Sequence, residues 1–369
     1  MRKRHEQYLL EVTALPTAAG LEDRVVAWGK QWAQQHKRKV TLRADRLGNL
    51  VIKRKGARSA TPLFFTAHLD HPAFAVTEVE DAGRTIRAAF RGGVQDAYFS
   101  EGTRVAAYPA DGPRITGQLV SLDRPRGKQG DQLVTARFSR KNKVQPGDLM
   151  TWALPESKIC KGRLHCPACD DLAAVAAAVS AYERLLAKPR GLGDVRLLFT
   201  RAEEVGFIGA IGATKTGIIP KRSTLVCLEN SKSFAESPIG GGPIIRLGDR
   251  LSTFDPELNA KLVVLAEGLA KKDKAFKFQR KLMPGGACEA TAFRALGYLS
   301  TCLCLPLGNY HNMNEATGRI APETIAVDDY HHLIDLLEAA GRKLHATDAE
   351  GDLVKRLDAL FERRRGLVE

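Results

Sequence analysis

Two adjacent carboxylates, Glu203 and Glu204, stand at the end of an apolar run and just ahead of a glycine-punctuated helical pattern. In Asp194-Val-Arg-Leu-Leu-Phe-Thr-Arg-Ala-Glu-Glu-Val-Gly-Phe-Ile-Gly-Ala210, residues 195–200 read as a buried strand and Gly206 onward as a loop opening into a helix. Ligands of open α/β sheets gather beyond the carboxyl ends of strands. Neighbouring acids there can divide the work, one holding a metal while the other moves a proton. Taken alone, the pair reads more readily as two solvated glutamates at a helix start, where the dipole favours acids.

Four further places repeat the pattern of an acid or histidine just beyond a strand or opening a helix. They are His68 with Asp70, Asp170 with Asp171, Glu229, and His311. Zinc and similar cations accept imidazole and carboxylate ligands, and a pair of ions bridged by one carboxylate, with two more ligands each, asks for about five groups. His68, Asp170, Glu204, Glu229 and His311 supply that set. Glu203 is then left unligated beside the site, and Asp70 is placed to steady an imidazole from behind. Other motifs are weaker. Cys166-Pro-Ala-Cys169, with Cys160 and His165 nearby, could supply half of a structural zinc site, but no second cysteine pair at finger spacing follows, so a structural zinc is not the expected reading. His71 and the His331-His332 pair read as surface or packing residues. Gly240-Gly-Gly-Pro243 and Pro284-Gly-Gly286 read as turns, since neither is followed by the Lys-Ser/Thr of a phosphate cradle.

Something must bring these groups together. Residues 6–36 show helical apolar spacing broken by a turn at Pro16 to Gly20, and residues 40–45 and 49–53 read as a hairpin. The apolar strand at 62–67 delivers His68. From about 75 to 160 the texture changes to short alternating runs separated by Gly, Pro and Asp turns, which fits a small β-barrel. Helical periodicity returns at 172–186, with strand-like runs at 195–200, 224–228 and 298–305, then helices at about 324–344 and 346–369. The expectation is an α/β fold, a doubly wound mixed sheet with flanking helices, divided into residues 1–74 and 161–369 by an inserted β-barrel at 75–160.

The 369 residues carry 44% hydrophobic and 27% charged side chains with no long uncharged apolar run, which excludes membrane-spanning and disordered classes. No segment near Met1 has the apolar core of a secretory signal, and seven cysteines without a regular framework fit a reducing compartment. A cytoplasmic location is expected. The net charge of +14 invites a polyanion, but the basic clusters are scattered and lack interleaved aromatics, so nucleic acid is not the expected partner. A basic rim can also draw acidic substrates to a cleft.

Taken in order, Ala67-His68-Leu69-Asp70, Cys169-Asp170-Asp171, Glu203-Glu204-Val205-Gly206, Leu228-Glu229 and Asn309-Tyr310-His311 resemble the dinuclear metal aminopeptidases of the deblocking, tetrahedral-assembly type, within the co-catalytic zinc exopeptidases. The resemblance implies two divalent ions per subunit, zinc first with cobalt or manganese as alternatives. His68 and Glu229 would hold one ion, Glu204 and His311 the other, and Asp170 both. It makes Glu203 the general base that takes a proton from a shared water and returns it to the leaving amine, and it implies a cis peptide after Asp170. It further implies a peptide substrate, a homo-oligomer, and a cleft lined by the two glycine turns with Glu289 near its wall. The chain departs from the family at Glu229, where close relatives carry Asp, at Leu172-Ala173-Ala174, and around His311. Two other functions stay open: an amidohydrolase acting on small N-acyl substrates, and a non-enzymatic binding protein with a basic surface.

Overall fold

A computed structural model describes residues 1–124 and 131–368. Its strands run in chain order β1 (Val40–Ala44), β2 (Leu50–Arg54), β3 (Leu63–His68), β4 (Ala73–Glu80), β5 (Thr85–Arg91), β6 (Arg104–Tyr108), β7 (Ile115–Arg124), β8 (Gln132–Arg137) and β9 (Leu149–Trp152). They continue with β10 (Lys158–Cys160), β11 (Arg163–Cys166), β12 (Val195–Thr200), β13 (Thr224–Lys232), β14 (Ile244–Gly248), β15 (Gln279–Leu282), β16 (Leu299–Leu307), β17 (Met313–Asn314), β18 (Arg319–Ile320) and β19 (Glu323–Ala326). The helices are α1 (Arg2–Thr13), α2 (Asp23–Gln35), α3 (Leu172–Ala187), α4 (Ile208–Thr216), α5 (Pro256–Lys272), α6 (Glu289–Ala295), α7 (Val327–Lys343) and α8 (Ala349–Arg364).

An eight-stranded mixed sheet in the order β1-β2-β12-β3-β13-β16-β14-β15 forms the framework, as the doubly wound reading anticipates. Its centre, β12-β3-β13-β16, is parallel, with antiparallel β2 and β14 on either side. Alternation divides the central strands between two cores. Phe65, Leu197, Val226 and Leu303 face α1, α3 and α7, while Phe64, Leu198, Leu225 and Cys302 face α4 and α6. α3 is buried along its whole length from Leu172 to Tyr182, and its run of alanines and valines lets it lie between the sheet and α1 and α7. The four parallel strands all end on one edge, and the acids and histidines collect there.

Strands β4-β5-β8-β7-β6-β9 close into a separate barrel. Phe74, Phe90, Phe99 and Trp152 fill it, their rings meeting at centroid separations of 4.7–6.2 Å. Edge-to-face aromatic packing of this kind gives a small barrel a core of its own.

Several elements differ from the sequence reading. The stretch read as a helix from 324 opens with the short strand β19, which pairs with β11, and α7 begins at Val327. The last helix spans Ala349–Arg364, and Glu369 lies outside the described residues. β14, α5, β15 and α6 were not read from the sequence. α5 had a signal: Asp255 caps it by accepting from the Leu258 N–H at 2.8 Å, and Pro256 occupies its first turn.

Candidate metal centre and cleft

His68 closes β3, Glu203 and Glu204 follow β12, Glu229 sits within β13, and His311 follows β16. Asp170 stands just before α3, and its peptide to Asp171 is cis. The fold brings all seven sequence-selected residues to one edge of the sheet. His68 Nε2 lies 3.4 Å from Asp170 Oδ1 and 3.6 Å from Glu229 Oε1. His311 Nε2 lies 3.5 Å from Asp170 Oδ2 and 3.4 Å from Glu204 Oε1. The Asp170 carboxylate thus stands between two imidazoles, one oxygen toward each. Among the described residues, the sets close enough to share an ion are His68-Asp170-Asp171-Glu229, His68-Glu203-Glu204 and Asp170-Glu204-His311. Asp171 is otherwise engaged, since its two oxygens accept from Asn230 Nδ2 at 2.9 Å and from the His68 N–H at 3.2 Å.

Each imidazole is turned by its other nitrogen. His68 Nδ1 donates to the Asp70 carbonyl at 3.1 Å, and His311 Nδ1 donates to the Gly93 carbonyl of the barrel at 2.7 Å. Both Nε2 atoms are left facing the carboxylates, the orientation of metal-binding histidines. Burial opposes charge on His68, but the carboxylates of Glu203, Asp170, Asp70 and Glu229 outweigh it and raise its pKa well above the ordinary range. His311 is raised likewise against its burial, by Glu204 and Asp170. Burial pushes the Glu203 carboxyl well above the usual carboxylate range, and the charges of Glu229, Glu204 and Glu289 add to it. Glu229 is raised by burial and by Asp170.

The supporting contacts show how the loops are fixed. Asp70 grips the turn after β12, its Oδ1 accepting from the Glu203 N–H at 2.9 Å and its Oδ2 from the Glu204 N–H at 3.0 Å. Its carboxylate oxygen is 3.5 Å from His68 Nδ1, so the bond that turns that imidazole comes from the Asp70 backbone, and the side chain mainly holds the two glutamates. Glu323, which the sequence did not single out, accepts from the N–H groups of Cys169, Asp170 and His311 at 2.7, 3.0 and 2.8 Å. Ala202 and His311 hold left-handed φ values of 52° and 54°, conformations that side-chain-bearing residues rarely adopt and that gather at functional sites.

A profile of the M42 glutamyl aminopeptidases matches residues 48–336. The chain belongs to the M42 glutamyl aminopeptidase family. Its activity is that of a metal-dependent aminopeptidase. No curated protein matches it significantly. Among solved structures, a TET aminopeptidase from a marine-sediment Thaumarchaeota archaeon is 17% identical with a TM-score of 0.77, over 93% of this chain and 97% of the other. An aminopeptidase from Desulfurococcus kamchatkensis is 21% identical with a TM-score of 0.76, over 93% and 95%. The Pyrococcus horikoshii TET1 peptidase is 21% identical with a TM-score of 0.74, over 92% and 99%, and assembles into a tetrahedron or a large octahedral shell. At these identities the likeness shows the fold alone.

In this M42 chain the site opens into a cleft of about 940 Å³, whose wall includes Gln95 from the barrel side, Phe234, Arg250 and Met283. Of the two glycine turns, Gly285 and Gly286 line this cleft. The other turn is used structurally, with the Gly240 and Gly242 N–H groups donating to Asp329 of α7 at 2.7 Å each. Glu289, expected near the cleft wall, is buried behind the site, close enough for its charge to act on Glu203. His71, read as surface or packing, is buried beside the site, its Nδ1 donating to the Asp170 carbonyl at 2.5 Å and its Nε2 meeting Asn312 Oδ1 at 3.0 Å. His331 and His332 pack in α7, the first against Glu6 at 2.9 Å. Cys160 is exposed on β10 while Cys166 and Cys169 are buried thiols.

Proposed function

We propose that the cleft works with two divalent ions, zinc first and cobalt or manganese as alternatives. His68 and Glu229 hold one, Glu204 and His311 the other, and Asp170 both. The observation that carries this reading is the Asp170 carboxylate set between the two Nε2 atoms, with a second carboxylate beside each. The donors suit the ions chemically: buried imidazoles with their Nδ1 atoms already engaged, and carboxylates packed against one another. Asp170 Oδ1 is moreover buried with no hydrogen-bond donor among the described residues. Ions bound there would polarise a carbonyl oxygen and lower the pKa of a water.

The chain's own residues do the rest. Glu203 is 7% exposed, its backbone is fixed by Asp70, and its raised pKa keeps a proton on it more readily than on a solvated glutamate. It takes the proton of the attacking water and passes it to the leaving amine. Gly93 and Asp70 keep the imidazoles oriented, and the barrel side of the cleft limits approach to chain ends. Arg250, on the cleft wall with its guanidinium unpaired among the described residues, together with the glutamyl specificity in the family's description, supports preference for an acidic N-terminal residue. The tetrahedral and octahedral assembly of the Pyrococcus relative supports a homo-oligomer. No described helix is long and apolar enough to cross a membrane. The seven free cysteines support a cytoplasmic location.

The test is hydrolysis of free-amine dipeptides and aminoacyl amides by metal-stripped and metal-restored protein, beside Glu203→Gln. Restored activity should fall at least about 10³-fold in Glu203→Gln, within the range for a lost general base plus a misplaced water. Cleavage of N-acyl substrates only, or full activity in the variant, sinks the reading.

A further inference from the structure

α8 carries an apolar stripe that the other described residues of the protomer leave open. Leu353, Val354, Leu357, Leu360 and Phe361 are 55, 49, 54, 46 and 57% exposed, and Leu367 and Val368 just beyond are 78 and 84% exposed. Single exposed apolar side chains are ordinary, but a contiguous face of them marks an interaction surface. The helix is anchored to the body by buried Ala349 and by Arg356, which pairs with Glu267 of α5 at 2.7 Å.

The spacing tells what covers the stripe. Within α8, Glu350, Val354, Leu357, Phe361 and Arg364 follow one another by alternate steps of four and three residues, and Leu353 and Leu360 flank them seven apart. That is a coiled-coil seam with two polar members. Glu350 and Arg364 each stand seven residues from Leu357, on opposite sides. A parallel copy would set Glu350 against Glu350 and Arg364 against Arg364. An antiparallel copy turned about Leu357 sets Glu350 against Arg364 at both ends, Val354 against Leu360, and Leu353 against Phe361. The helix dipoles also oppose. The surface is therefore complementary to itself in one orientation, which is the requirement of a two-fold contact.

We propose that α8 of a second copy of this chain covers the stripe, antiparallel, with the two-fold axis at Leu357 and the Glu350–Arg364 pairs fixing the register. This rests on the homo-oligomer reading above and gives it a named interface. Sedimentation velocity of the full chain at micromolar concentration tests it. The double substitution Leu357→Asp with Phe361→Asp should reduce the assembly to the units left when one two-fold contact is removed, with melting temperature and kcat unchanged. Glu350→Arg and Arg364→Glu should each raise the dissociation constant about tenfold or more, and the two together should restore it. A mass unchanged by the double Asp substitution overturns the interface and leaves the oligomer reading standing. A monomeric parent overturns both. A monomeric parent that binds anionic lipid vesicles, and loses that binding with the two Asp substitutions, assigns the stripe to a lipid surface and also overturns the proposal.

Discussion

Glu323 joins both ends of the site through one side chain, since the N–H groups of Cys169 and Asp170 share one of its oxygens and that of His311 takes the other. Glu323→Gln keeps the volume but replaces one acceptor oxygen with a donor that faces backbone N–H groups. Either the Asp170 loop or the His311 loop then loses its hold. Supporting contacts to metal ligands are typically worth 10–100-fold in affinity or activity. Glu323→Gln is accordingly expected to lower kcat/KM and zinc affinity together, by about that factor, and excess zinc should recover part of the loss. A variant with parent zinc affinity would deny Glu323 this positioning role. The seven candidate residues were visible in the sequence because strand ends are visible and each stands at or just beyond one. Glu323, Asn230 and Asn312 were not, because a buried acceptor or amide that braces a loop has no periodicity to betray it. Asp70 was visible in position but only half in role, since its grip on the Glu203 and Glu204 backbone depends on a strand adjacency that spacing alone does not show.

Element by element, the most constrained part of the site is the turn from β12 into α4. Gly209 donates to the Arg201 carbonyl at 2.8 Å, and a Cβ placed on it would meet the Arg201 backbone oxygen and nitrogen at 2.2 and 2.4 Å and Asn49 Oδ1 at 2.7 Å. Two of those atoms are backbone and cannot step aside without moving the strand end that carries Glu203 and Glu204. By helix propensity alone Gly209→Ala would stabilise α4 by about 1 kcal/mol. The contacts reverse that sign: the variant should melt below the parent and lose kcat, both measurable on the same preparation, whereas a raised melting temperature would show that the turn is looser than its packing implies. Of the elements, the parallel strands, α3 and the barrel strands were legible because their apolar runs are long or alternate cleanly. β14, β15 and α6 were not, being short and partly polar, and β19 was absorbed into the helix that follows it. α5 was missed despite its Asp255-Pro256 start, because the lysines at its end counted only among the scattered basic clusters.

At the scale of the whole molecule, a chain of net charge +14 concentrates several buried carboxylates around two histidines at one sheet edge. Those groups come from β3, the α3 start, the β12–α4 turn, β13 and the loop after β16, so whatever binds them ties together parts of the chain that are far apart in sequence. A ligand that binds only the folded state adds stability by mass action, about 2.7 kcal/mol at a hundredfold excess over its dissociation constant. Chelation should therefore lower the melting temperature by several degrees, and zinc, cobalt or manganese should restore it, independently of any assay of hydrolysis. Asp170 decides whether this comes from the site, because its two oxygens lie 3.4 and 3.5 Å from the Nε2 atoms of His68 and His311. Asp170→Asn is expected to melt at the same temperature with and without metal. If the parent shows no metal response, the proposed donor set does not hold the ions. If Asp170→Asn keeps the parent's response, the ions bind elsewhere and the bridging role fails, while the fold that assembles the edge stands unaffected.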